Sequence, residues 1–166
     1  NADGVFQGAF AGNAAVANWN NTVPLTVDAT ANASGSVAFA NANASFALFQ
    51  LASAGNSASV NLNNSSVISA DANATAQATA FASANANVND VVIQQAFAGN
   101  TAIANIDNSG LISGQAHAVA SDAFAGAFIG NVIQQTAVAG TLAIASVGNT
   151  AAATITGPAL ATATGI

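Results

Sequence analysis

A segment that opens Val5-Phe6-Gln7 and runs to Ala11-Gly12-Asn13 returns three times along the chain. Self-similarity at a fixed long period marks a repeat architecture, so this feature constrains the fold before any other. The later copies are Leu48-Phe49-Gln50 to Ala54-Gly55-Asn56, Val92-Ile93-Gln94 to Ala98-Gly99-Asn100, and Val132-Ile133-Gln134 to Ala139-Gly140-Thr141, the last with one extra residue inside. Phe6, Phe49, Ile93 and Ile133 give spacings of 43, 44 and 40. Seven residues after each glycine stands an anchor: Trp19, Leu62, Ile106 and Val147. Three of the anchors sit in matching polar frames, such as Asn18-Trp19-Asn20-Asn21 and Asn61-Leu62-Asn63-Asn64. The chain therefore divides into one repetitive domain over 1–166, with repeats at about 5–47, 48–91, 92–131 and 132–166.

Alanine content alone favours helix. Its spacing does not: alanine fills every even position from Ala70 to Ala86, with Asn, Thr, Gln, Phe and Ser between. Strict alternation is the period of a strand, whose successive side chains point to opposite faces. The alternation changes parity across Ser34-Gly35-Ser36, as a turn or bulge would make it do. Turns are expected at Gly12-Asn13, Gly55-Asn56, Gly99-Asn100 and Gly140. The expected fold is thus all-β, a parallel β-solenoid of about four repeats of 40–44 residues with uncapped ends. Two readings of each period fit: two stacked strand–arc–strand coils of roughly 21 residues, or one larger coil. The first is favoured.

Stacking places equivalent residues about 4.8 Å apart. Phe6, Phe49, Ile93 and Ile133 are then expected to form an apolar column. Gln7, Gln50, Gln94 and Gln134 are expected to form an amide ladder, each donating to the next. Such columns have no place for stacked like charges, and the sequence has almost none. It contains no Lys, Arg or Glu, six Asp and a net charge of −6, with 52% hydrophobic residues. So little charge makes association the expected state. Lack of every cation argues against nucleic-acid binding and against attraction to anionic membranes. No 18-residue apolar stretch suggests a spanning helix. The start Asn1-Ala2-Asp3 shows no secretory leader, which is expected to have been removed or never present. A second molecule placed after Ile166 would resume the repeat after 39 residues, nearly in phase, and no polar cap is expected at either end.

The run Ile93-Gln94-Gln95-Ala96-Phe97-Ala98-Gly99-Asn100-Thr101-Ala102 resembles the repeats of curlins, the subunits of bacterial curli fibres, with Gln95, Asn100 and Ala102 at curlin-like offsets. Asn13/Ala15 and Asn56/Ala58 keep part of that pattern, whereas Gly8 and Leu51 replace its glutamine and its closing glutamine is missing throughout. The resemblance implies a secreted bacterial protein, extracellular or at the cell surface, and a β-solenoid that polymerises head to tail with copies of itself into a biofilm-type fibre, with lateral contacts to other fibres or matrix. Ala/Asn/Gly-rich passenger segments of autotransporter adhesins look similar, so a ligand-binding section of a long surface adhesin is the alternative.

Hidden chemistry is hard to find. His117 is the only imidazole, placed at a non-alanine position of an alternating run, and nothing like a nucleophile elbow surrounds it. Asp90, Asp107 and Asp122 read as turn residues that do not recur at equivalent positions, so no metal site is expected. No phosphate loop or cofactor motif is present. The sequons beginning at Asn20, Asn32, Asn43, Asn63, Asn64 and Asn73 arise freely in such a composition. No enzymatic role is expected.

Overall fold

The computed structural model describes residues 2–121 and 123–163. It is all-β, with no helix among the described residues, and the paired strands run parallel. The strands are β1 Val5–Ala11, β2 Ala14–Asn21, β3 Leu25–Ala44, β4 Leu48–Ala54, β5 Ser57–Asn64, β6 Val67–Ala98, β7 Thr101–Asn108, β8 Leu111–Ala120, β9 Ala123–Val138, β10 Leu142–Asn149, β11 Thr154–Thr156 and β12 Ala159–Ala163. Two open sheets result. One orders β1-β4-β6-β8-β11, with β3 and β9 also pairing β6 and β12 pairing β8; the other orders β10-β7-β5-β2.

Every ladder joins residues one whole period apart. Phe6 lies opposite Phe49, and Phe49 opposite Ile93. Trp19, Leu62, Ile106 and Val147 likewise follow one another across β2, β5, β7 and β10. This corrects the favoured two-coil reading, because among the described residues no ladder joins residues about 21 apart. The two arcs of a period lie side by side instead of one upon the other. The reason is chemical. The arc β4–β5 buries the Gln50 amide, whereas the arc over residues 70–86 of β6 buries small side chains such as Ala72, Ala74, Ala82, Ser83 and Ala84, and no amide. Stacking one arc on the other would leave that amide without a partner, at about 1–3 kcal/mol. A full-period step sets glutamine on glutamine.

The bend at Gly55-Asn56 turns β4 into β5, and Gln50 Nε2 reaches across to the Asn61 carbonyl at 3.1 Å. On the other side, Gly114 of β8 faces β6 and β9 so closely that a Cβ there would stand 3.0 Å from Val91 and 3.6 Å from Ile129. Sheets this close favour small inward side chains, and most of the buried positions along β3, β6 and β8 are Ala. Leu48, Leu62, Ile68, Ile106 and Ile112 fill the wider middle of the core and are fully buried. Aromatic rings do not fit: none of the nine phenylalanines is buried, and seven of them, including Phe6, Phe10, Phe39 and Phe128, are exposed. The Phe6–Phe49–Ile93 column therefore runs along the outside.

The parity change at Gly35 is a β-bulge: Gly35 pairs with Ala78 but Val37 pairs with Phe81. Gly35 carries φ 155°, a backbone that side-chain-bearing residues rarely adopt.

Candidate functional site

With no charge cluster to build on, the recurring polar groups inside the core and the strand edges are the candidates. In β1, β4 and β6 inward positions alternate with outward ones, and this brings Gln7, Gln50 and Gln94 into one column. Gln50 and Gln94 are fully buried. Gln50 Nε2 donates to Gln7 Oε1 at 2.9 Å, and Gln94 Nε2 donates to Gln50 Oε1 at 2.9 Å. Each amide also donates to a backbone carbonyl of the facing strand: Gln7 to Asn18, Gln50 to Asn61 and Gln94 to Asn105. These carbonyls can only accept, so they determine which way each amide points.

The fourth member is Gln135, not Gln134. Gln135 Nε2 donates to Gln94 Oε1 at 2.8 Å and to the Ser146 carbonyl at 2.9 Å. Gln134 instead pairs with Ile93 on the outer face, and Ile133 pairs with buried Val92. The expected alignment was one residue off, and a slip of one flips every side chain to the opposite face. The observed register turns Ala137 and Ala139 toward the narrow core, where the expected one would have put Thr136 and Val138. It needs no extra residue inside the fourth copy.

Sequence reasoning missed a second amide ladder. Asn21 Nδ2 donates to Asn64 Oδ1, Asn64 Nδ2 to Asn108 Oδ1 and Asn108 Nδ2 to Asn149 Oδ1, each at 2.7 Å. Its signal was present, since each asparagine stands two residues after an anchor, but asparagine is so common here that the recurrence did not stand out. This ladder donates toward the C-terminal copies, opposite to the glutamine ladder. Outside, Asn61 donates to Asn18 at 2.8 Å, Asn85 to Asn41 at 3.1 Å and Asn87 to Asn43 at 2.9 Å.

Gly12-Asn13, Gly55-Asn56, Gly99-Asn100 and Gly140-Thr141 form the bends between strands. They stack through backbone bonds: Gly55 N–H donates to Gly12 O at 3.1 Å, Gly99 to Gly55 at 3.2 Å and Gly140 to Gly99 at 3.1 Å.

Asp28 and Asp71 lie opposite one another on β3 and β6. Burial, and then the neighbouring Asp28 carboxylate, push the Asp71 carboxyl up to about 6, against a lowering by Ser69. Asp71 Oδ1 and Trp19 Nε1 are both buried without a hydrogen-bond partner. Asp90 and Asp107 lie within β6 and β7, not in turns, and accept from Asn131 and Asn105. Asp122 lies outside the described residues. His117 is exposed on β8, opposite Asn73 and Leu160. Among the described residues, no three potential metal-ligating side chains gather into a site, and no helix is long and apolar enough to cross a membrane.

The outermost ladders are the remaining feature. Within the described residues, β1, β2 and β3 each pair with one strand only, as do β9, β10, β11 and β12 at the opposite end. Comparison with protein-family models, curated proteins and solved structures gives no match for this chain.

Proposed function

We propose that the chain is a parallel β-solenoid of about four single-coil layers, and that it serves as a self-assembling structural subunit of an extracellular fibre. The observation that carries this reading is the pair of singly paired strand edges, joined by a core whose glutamine and asparagine amides pair along the stack. Exposed edges are templates for further strands. Copies add head to tail, and the neutral amide columns continue from one to the next. A curli-like or functional-amyloid role in a biofilm matrix fits this chemistry, as does secretion. The outward phenylalanines supply lateral contacts to neighbouring fibres.

Those same phenylalanines favour a second reading, a ligand-binding section of a long surface adhesin. Electron microscopy and sedimentation of the purified 166-residue chain test the first reading. Unbranched filaments are expected, and a monodisperse monomer at high concentration would refute assembly. A denaturing gel of the native material separates the two readings: a band near 16 kDa belongs to a subunit, and a far larger one to an adhesin.

A further inference from the structure

Gly55, Gly99 and Gly140 share a constraint. A Cβ at any of them would run into the carbonyl oxygen of the glycine one period earlier, which is Gly12, Gly55 and Gly99 in turn. Gly12 occupies the same place in its own bend, yet a Cβ there would meet nothing within 4 Å. Nor does its backbone call for glycine, since Gly35 is the one described glycine with positive φ. Among the described residues, then, nothing reserves this space.

The amides mark the same edge. Gln7 Nε2 donates to the Asn18 carbonyl at 2.8 Å, and its second N–H finds no acceptor among the described residues. At the opposite end Gln135 donates through Nε2, while its Oε1 accepts from no described donor. One edge therefore lacks an acceptor and the other lacks a donor. The asparagine ladder has the reverse polarity, running from Asn21 to Asn149. Two like edges brought together would set donor against donor at Gln7.

We infer that the first edge receives the last edge of a second copy of this chain in a single register, with the Gly140 carbonyl over Gly12 and Gln135 Oε1 accepting from Gln7. This rests on the fibre reading above and adds its orientation and its contact residues. In this register Gly12 is glycine for the sake of the neighbouring molecule. Gly55 is glycine for the sake of its own fold.

The test is Gly12→Ala beside Gly55→Ala, with growth followed on labelled wild-type seeds. Gly12→Ala is expected to keep the wild-type circular dichroism and urea midpoint as a monomer, while its own elongation falls by at least about tenfold, the factor that 1.4 kcal/mol represents. Its last edge is intact. Small amounts added to wild type should therefore stop growth at the seed end that presents Gly12 and leave the other end growing. An unfolded variant would not cap in this way. Gly55→Ala should lose stability as a monomer. If wild type forms fibres and Gly12→Ala elongates equally well, or fails to cap, the register is wrong and the fibre reading survives. Loss of the β signature in Gly12→Ala would refute the claim that its space is empty in the isolated chain. A wild-type chain that stays monomeric overturns both.

Discussion

Removing one amide from the middle of the glutamine ladder should destabilise the chain far more than removing one from its end. Gln94 is fully buried, donates to Gln50 Oε1 and to the Asn105 carbonyl, and accepts from Gln135. In Gln94→Ala, Gln50 Oε1 is left buried with no donor, a loss of about 1–3 kcal/mol. Asn105 loses one bond, and Gln135 still reaches the carbonyls of Ala104 and Ser146. The space vacated by the side chain adds a cavity term, bringing the expected total to about 3–4 kcal/mol. Gln7 is only partly buried and keeps one backbone acceptor. Water can replace its amide, so Gln7→Ala should lose no more than about 1 kcal/mol. Urea unfolding of the soluble chain, with unchanged m-values, measures the difference. Gln50→Ala should resemble Gln94→Ala, and the double variant should fall short of their sum, because it removes the stranded oxygen along with its donor. Equal losses at Gln7 and Gln94, or strict additivity of Gln50 and Gln94, would refute a hydrogen-bonded ladder.

Acidity provides a second prediction. The Asp71 carboxyl is raised from 3.8 to about 6, so the folded chain holds that proton more tightly than the unfolded chain does. Stability should fall as pH rises from about 4 to about 6 and then level off. After allowance for solvent at a partly exposed group, the drop is about 1–2 kcal/mol, and Asp71→Asn should flatten the profile. Trp19→Phe removes a buried, unpaired N–H and keeps an aromatic ring, so its melting temperature should match or exceed that of wild type. A drop of several degrees would show that the indole N–H has a partner. Ala84→Val forces two methyl groups between closely packed sheets and should cost about 1–3 kcal/mol in urea; a neutral result would mean the alanine core is loose.

Much of the fold was legible in the sequence because strand period and repeat period are both written in residue order. The even-numbered alanines of Ala70 to Ala76 and Ala82 to Ala86 are the buried ones, and the glycine bends recur at readable intervals. The arrangement of the two arcs was not legible. A period of 43 has the same spacing whether its halves stack or lie side by side, and the difference rests on whether the Gln50 amide finds another glutamine. The fourth copy misled for a local reason. Gln134-Gln135 offers two glutamines to one ladder position, and only the parity of Ala137 and Ala139 decides between them. The outward phenylalanines were also hidden. Phenylalanines are usually core residues, and here the core takes Leu and Ile but is too thin for phenyl rings.

The central claim is that each period is one layer and that layers continue from molecule to molecule. Helical reconstruction of the assembled fibre measures this directly through the axial rise per subunit. Four layers about 4.8 Å apart give a rise of about 19 Å, with Gly140 of one copy over Gly12 of the next. A rise of about 38 Å, as eight stacked coils would give, or a subunit reversed relative to its neighbour, would contradict the account.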